Sequence, residues 1–318
     1  MQDKILDFLE GKNGYISGEE MSSHLKISRQ ALWKHIQDLK DAGYNIEAVP
    51  HLGYRLEAVP DRLFAFEVSR GLDSRVLGKK IFYFDSLGSS IDTAMDLGVK
   101  GAPSGTLVLT EAQTKGRGRL GRTWFSPKYK GLYFSLILRP DMLPAQASVL
   151  TLLSAVSICE AIKTVTGLEA QIKWPNDILL HNRKLCGILT QVVAETDRID
   201  FVIISAGINV NNDKKSLIST ATSLKEHKKE ETSRVSLLQE ILRRLEANYL
   251  TLEKKGSRPV LDKWRQQSIT LGRRVKVYCQ NKHTEGEAVD IDTDGALLVR
   301  KDSGFVEKVL AGDVVHCR

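Results

Sequence analysis

Near the start of the chain, apolar and polar positions follow helical spacing in two short segments. Ser17-Gly18-Glu19-Glu20 has the form of a capping box, Ser17 as N-cap and Glu20 at N3, opening a helix that continues from Met21 to Leu25. After a tight turn, Ser28 caps a second helix. Ile27 before that cap and Leu32 inside it form a hydrophobic staple, and Leu32, Ile36 and Leu39 keep one apolar face until Gly43 ends the helix. Two such helices predict a helix-turn-helix. Residues 44–49, the turn at 50–53 and Tyr54-Arg55-Leu56 read as a hairpin, which makes the module winged.

Past residue 60, strand-like apolar runs at 81–84, 106–109, 131–138 and 201–205 mark a central region. Residues 235–252 place Leu238, Ile241, Leu242, Leu245, Tyr249 and Leu252 at helical spacing, a packing helix, and the polar run 211–233 before it reads as a loop. From Arg273 on, short strands at 275–278, 287–291, 296–300 and 305–310 alternate with turns such as Asp294-Gly295 and predict a small β-barrel. The expected fold is α+β in three domains, residues 1–60, 61–268 and 269–318.

Charge sharpens this division. The net charge of +7 hides a −2 in residues 1–60, a balance in 268–318 and a +9 between them, so the basic region is the centre. A positive central domain fits anionic small molecules or an acidic protein partner. Within the acidic first domain, residues 26–40 still carry Lys26, Arg29, Lys34 and Lys40 against Asp38 alone, so Ser28, Arg29, Gln30 and Lys34 are the candidate DNA-contacting residues. Cys159, Cys186, Cys279 and Cys317 show neither metal-ligand spacing nor a disulfide framework, which suits a reducing cytoplasm. Asp3, Asp7 and Glu10 interrupt any signal-peptide pattern, and the apolar stretch 149–162 is too short to span a bilayer.

The most informative segment is Lys115-Gly116-Arg117-Gly118-Arg119-Leu120-Gly121-Arg122, in which glycines open the backbone and arginines supply fixed charge for an anion. Gly116, Gly118 and Gly121 also match a dinucleotide fingerprint, but the loop runs through Trp124-Phe125-Ser126-Pro127 into a strand rather than a helix, so that reading fails on context. Three other segments stand out. Asp85-Ser86-Leu87-Gly88-Ser89-Ser90 offers hydroxyls to a polar headgroup or caps the helix that follows. Lys173-Trp174-Pro175-Asn176-Asp177 is a charged break between apolar runs, and Lys184-Leu185-Cys186-Gly187 starts a strand with a lysine.

Together with Gly207-Ile208-Asn209, and in this order, these motifs resemble the biotin protein ligases, and the winged domain resembles that of the bifunctional members that also repress the biotin operon. The resemblance covers essentially the whole chain. It implies a central mixed-sheet domain like the class II synthetases and biotin/lipoate ligases, followed by an SH3-like barrel. It implies that Ser89, Ser90, Gln113, Gly116, Arg117, Arg119, Arg122, Trp124, Lys184 and Gly187 hold biotin or its adenylate. Arg122, Trp124, Lys173, Asn176, Asp177 and Asn209 would serve the nucleotide, with Lys184, Arg119 and Asp177 as the catalytic set. One departure is visible: the family's Ser-Thr-Asn or Ser-Thr-Gln is here Ser89-Ser90-Ile91.

The resemblance also implies the chemistry. ATP and biotin are substrates, Mg²⁺ accompanies the nucleotide, and no protein-held metal site is expected. A biotin carboxyl carrier protein supplies the acceptor lysine, operator DNA is a second partner, and the adenylate promotes a homodimer. Neither reaction step needs a protein nucleophile, in keeping with the absence of any Ser/His/Asp or Cys/His elbow motif. The glycine-arginine loop is expected to close over the anion it binds and shield it from water. A transcription factor that only senses its ligand and a lipoate ligase of the same fold are the competing readings.

Overall fold

The computed structural model describes residues 1–12, 14–279 and 282–316, so Cys317 lies outside the described residues. The chain folds as two compact units, Met1–Arg62 and Leu63–Arg318.

The first unit contains α1 (Gln2–Glu10), α2 (Gly18–Leu25), α3 (Arg29–Asp41), β1 (Asn45–Val49) and β2 (Gly53–Ala58). Leu32, Ile36 and Leu39 of α3 are buried as their spacing requires, and α3 packs against α1, a helix the sequence pattern passed over whose Ile5, Leu6 and Leu9 are also buried. Its start, at Met1, has no side-chain cap to announce it. Ser17 Oγ accepts from Glu20 N at 3.1 Å and Ser28 Oγ accepts from Ala31 N at 3.1 Å, so both caps form. The expected box at Ser17 is closed from one side only, because the Glu20 carboxylate pairs with Lys12. β1 and β2 form the antiparallel hairpin of the wing.

The second unit runs α4 (Ala65–Ser69), β3 (Ile81–Phe84), α5 (Ser90–Val99), β4 (Thr106–Thr110), β5 (Leu132–Leu138), α6 (Ser148–Thr166), β6 (Gln171–Lys173), β7 (Asp177–Leu180), β8 (Arg183–Ala194) and β9 (Ile199–Ile208). It continues with α7 (Leu224–Lys228), α8 (Arg234–Lys255), α9 (Arg258–Gln267), β10 (Arg274–Cys279), β11 (Lys282–Ile291), β12 (Leu297–Arg300), β13 (Val306–Val309) and β14 (Asp313–His316). Seven strands make one mixed sheet in the order β3-β4-β5-β9-β8-β7-β6, parallel only between β3 and β4. The remaining five form an antiparallel sheet in the order β13-β12-β11-β10-β14. The described ladders leave β13 and β14 as its edges.

Strand alternation sorts the large sheet into two faces. Leu107 and Leu109, Phe134 and Leu136, and Val202 and Ile204 join the main core with α6, α8 and α9. The residues between them, Val108, Ile137, Phe201 and Ile203, join a smaller cluster with Ile91 and Ala94 of α5. Helix α6 explains the apolar stretch 149–162: it belongs to a 23-residue segment, Pro144–Thr166, long and apolar enough by length and composition to cross a membrane, where the sequence led one to expect a stretch too short to do so. Its window is 72% buried inside the protein, as in a core helix. The run 211–233, expected to be loop, contains α7, and the sheet gains β14 beyond the four strands predicted.

One polar pair lies at the bottom of this core. Arg234, the first residue of α8, donates to Glu111 at 2.6 Å with both side chains fully buried, and Glu111 also accepts from Leu63 N at 2.8 Å. Removing one member leaves a desolvated charge behind. Glu111→Ala is therefore expected to destabilise the second unit by about 3–5 kcal/mol, read as a lower urea midpoint; an unchanged midpoint would refute the assignment.

Candidate functional site

On the α5-side face of the large sheet, β9 loses its side chains step by step, while β5 opposite it runs Ile137, Ser135 and then Tyr133, the partner of Gly207. Ile137 pairs with Ile203 beneath α5, Ser135 pairs with Ser205 next to them, and the following position on β9 is Gly207, which in turn faces Gly187 on β8. Shrinking from isoleucine to serine to glycine turns a packed face into the floor of a cavity of about 550 Å³.

The glycine-arginine loop and the residues after it form the wall above this floor. The loop is folded: Gly118 N donates to Arg122 O at 2.7 Å and Trp124 N to Gly116 O at 2.9 Å. This fold sets the Trp124 indole against the glycine pair. A Cβ on Gly207 would overlap Trp124 Nε1, and one on Gly187 would sit 3.1 Å from Trp124 Cζ3. Only glycine leaves room for the indole at Gly207. Trp124 Nε1 is buried and meets no acceptor among the described residues.

At the end of the cavity nearest α5, Ser135 Oγ donates to Ser90 Oγ at 2.9 Å and shares a 2.7 Å hydrogen bond with Ser205 Oγ. Ser90 N donates to Gln113 Oε1 at 2.9 Å, and Gln113 Nε2 donates to Ser126 Oγ at 3.0 Å. Ser89 occupies the N-cap position of α5 but makes no side-chain cap bond, so the capping role expected for these hydroxyls does not form. Ile91, the departure from the family pattern, is 2% exposed on the buried face of α5 while also lining the cavity.

The cations are each held by a group of the protein. Arg117 pairs with Asp92 at 3.0 Å, Arg122 pairs with Asp313, and Lys184 Nζ lies 2.7 Å from Asp177 Oδ1 and 5.6 Å from the centre of the Trp124 ring. Arg119 donates to Asn176 Oδ1 at 2.9 Å and to Gly312 O at 3.3 Å, while Asn176 Nδ2 holds Ile188 O at 2.8 Å. The structure thus brings Ser89, Ser90, Gln113, Arg117, Arg119, Arg122, Trp124, Asn176, Asp177, Lys184, Gly187 and Asn209 to one lining.

Two expected residues do not line it. Gly116 sits one layer behind, its carbonyl taken by Trp124 N. Lys173 lies beside the site, where burial lowers its pKa against the opposing pull of Asp177 and Asp313. Asn209 reaches the lining, and its Nδ2 donates to Thr222 O at 3.0 Å. The sequence reading missed Asp92, Asp313 and the segment 216–221, all brought in by tertiary contacts from runs that carry no motif. Burial, with Lys173 and Arg273 nearby, also pushes His316 of β14 down to about 4.

In the first unit, Ser28 Oγ is engaged as the cap of α3, and Arg29 pairs with Glu19 at 2.7 Å in the open. Gln30 and Lys34 are exposed on the same helix, together with Trp33, 56% exposed and not anticipated from the charge pattern.

Comparison with known proteins agrees with this geometry. Residues 84–209 match the Biotin/lipoate A/B protein ligase family, residues 2–55 match an HTH domain and residues 270–317 match the Biotin protein ligase C terminal domain. The chain is 39% identical to the bifunctional ligase/repressor BirA of Bacillus subtilis (strain 168) over 98% of its own length and 97% of that protein's. The chain belongs to the bifunctional biotin ligase/repressor family. BirA of Escherichia coli (strain K12) is 31% identical over 94% of this chain and 92% of its own. Among solved structures, the biotin protein ligase from Aquifex aeolicus in complex with biotin and ATP superposes with a TM-score of 0.65 at 28% identity, covering 76% of this chain and 99% of that one.

For a ligase of this family, the floor beneath Trp124 gives a direct test. Gly207→Ala is expected to displace the indole and cut adenylate-forming activity by about tenfold or more, with the melting temperature of the second unit little changed and Trp fluorescence altered. Wild-type activity in that variant would show that the indole's place is not needed.

Proposed function

We propose that this chain activates biotin with ATP to biotinyl-5′-AMP, transfers the biotinyl group to a lysine of a biotin carboxyl carrier protein, and represses biotin genes when the adenylate is bound. The observation that carries this reading is the meeting of three loop arginines, the Lys184–Asp177 pair and a glycine-floored indole in one cavity.

In the first step a biotin carboxylate oxygen forms a bond to the α-phosphorus while the bond to the bridging oxygen breaks and diphosphate leaves. Arg119, Arg122 and Lys184 neutralise the oxygens on which charge builds, and their preorganisation carries the rate. Asp177, 2.7 Å from Lys184, aims that ammonium at the reacting phosphate. In the second step the acceptor amine attacks the acyl carbon and AMP leaves, so again the protein supplies position and charge rather than a nucleophile. Gln113, Ser89, Ser90 and Arg117 hold the biotin headgroup, and Trp124 packs on the adenine.

A bound anion competes with Asp92 and Asp313 for the loop arginines, which is the route by which the loop closes over the ligand. Mg²⁺ would enter with the phosphates of ATP and supply charge neutralisation there. In the repressor arm, Gln30, Lys34 and Arg29 of α3 read the operator from the major groove, as a homodimer promoted by the adenylate. The free Cys159, Cys186 and Cys279 fit a reducing cytoplasm.

ATP–diphosphate exchange with biotin, with lipoate and with neither decides the enzymatic arm. Exchange is expected only with biotin, and Lys184→Ala is expected to lower single-turnover adenylation by about a hundredfold while the fold stays intact; exchange with lipoate alone would overturn the assignment. For the regulatory arm, a gel shift on the operator with biotin and ATP present is expected to weaken by about tenfold or more in Lys34→Ala, with adenylation unchanged. Equal affinity in the variant would remove α3 from the DNA interface.

A further inference from the structure

Lys184 is the second residue of a strand whose first, Arg183, turns its charge to a different partner. Arg183 makes a two-pronged contact with Glu226 of α7, Nη1 to Oε2 at 3.0 Å and Nη2 to Oε1 at 2.9 Å. Glu226 Oε2 also accepts from Thr222 Oγ1 at 2.9 Å, and Glu226 N donates to Ser223 Oγ at 3.2 Å. The carboxylate side chain is 11% exposed, and the Arg183 guanidinium holds its pKa down to about 2. His227 shares the Thr222 hydroxyl at 2.9 Å and stacks on His181 at 4.7 Å. The turn between β7 and β8, the start of β8 and the start of α7 are thereby tied into one polar cluster outside the cavity.

This cluster brackets the reactive lysine through the backbone. Lys184 N donates to Thr220 O at 2.8 Å, and Thr222 N donates to Lys184 O at 2.9 Å, so the segment ending in Thr222 runs as a short parallel bridge beside Lys184. In the residues just before, Ser216, Leu217, Ile218, Thr220 and Ala221 line the cavity. Two main-chain hydrogen bonds, with Asn209 Nδ2 donating to Thr222 O at 3.0 Å, are a weak clamp on a segment that must face a ligand. A bidentate Arg–carboxylate pair adds the directional constraint they lack.

We propose that Arg183 and Glu226 are a positioning pair that fixes Lys184 and the 216–221 wall in register, so that the ammonium and the wall reach the adenylate together. Neither residue lines the cavity, and both act through their neighbours. The inference rests on the ligase reading above. Its physical content is that loss of the pair lets Lys184 and the wall shift independently by a fraction of an ångström, which leaves the core untouched but blurs the alignment on which charge stabilisation depends.

The test compares wild type, Glu226→Gln and Glu226→Asp in the full-length protein. Glu226→Gln keeps an acceptor for Thr222 but removes the charge that grips Arg183 and that Lys214 Nζ approaches at 3.4 Å. Single-turnover adenylate formation is expected to fall by about tenfold to a hundredfold in Glu226→Gln, with KM for biotin changed much less than kcat and the melting temperature within about 2 °C of wild type. Glu226→Asp, which restores the charge on a shorter stem, is expected to recover part of the rate. A rate in Glu226→Gln equal to wild type overturns the proposal, as does a loss fully accounted for by the unfolded fraction. Absence of biotin-dependent turnover in wild type would overturn the ligase reading and this inference with it.

Discussion

Several cations have to stand close together around one cavity, and the rest of the site is arranged around that constraint. Arg117, Arg119, Arg122 and Lys184 surround one cavity, with Lys173 beside it. Left unpaired at partial burial they would repel one another and the loop would spread. Instead Arg117 rests on Asp92, Arg122 on Asp313, Lys184 on Asp177, and Arg119 on the Asn176 carbonyl and a backbone oxygen. Each cation is thereby held by a group of the protein, which keeps the site assembled.

The partners come from distant parts of the chain. Asp92 lies on α5, Asp177 on β7 and Asp313 on β14, the edge strand of the small C-terminal sheet. That sheet is held against the main core by Trp174 Nε1 donating to Gly295 O at 3.1 Å and by Arg265 on Asp290 at 2.7 Å. The same Lys173-Trp174-Pro175-Asn176-Asp177 segment therefore serves both tasks: its tryptophan docks the sheet, and its asparagine and aspartate face the cavity. A domain whose composition assigns it no task of its own thus completes the electrostatics of its neighbour.

The cavity floor depends on side-chain volume alone. Ser135, Ser205, Gly187 and Gly207 are ordinary strand positions by backbone geometry, and what distinguishes them is how little they project. The main core on the opposite face, packed against α6 and α8, makes the sheet rigid enough for such a gap to persist. Burial of Glu111 with Arg234 ties the strand after which the glycine-arginine loop begins to the start of α8, anchoring the loop's near end in that rigid layer.

The sequence by itself determined the winged module, the α+β character, the order of the anion-binding motifs and the family, because these are written in local signals: N-caps at Ser17 and Ser28, the spacing of Leu32, Ile36 and Leu39, and contiguous motifs such as the glycine-arginine loop and Lys184 to Gly187. Most of the candidate site was legible for the same reason. Helix α1, strand β14 and the wall at 216–221 were not, since each is short and uncapped or polar and gains its role only when packed. Tertiary structure alone decided which acids balance the cations, that Gly116 and Lys173 stand off the lining, and that Trp124 lies on the Gly187–Gly207 pair. These are matters of which strands are neighbours and in what register, and no local pattern along the chain encodes the distance between residues more than a hundred positions apart, such as Arg122 and Asp313.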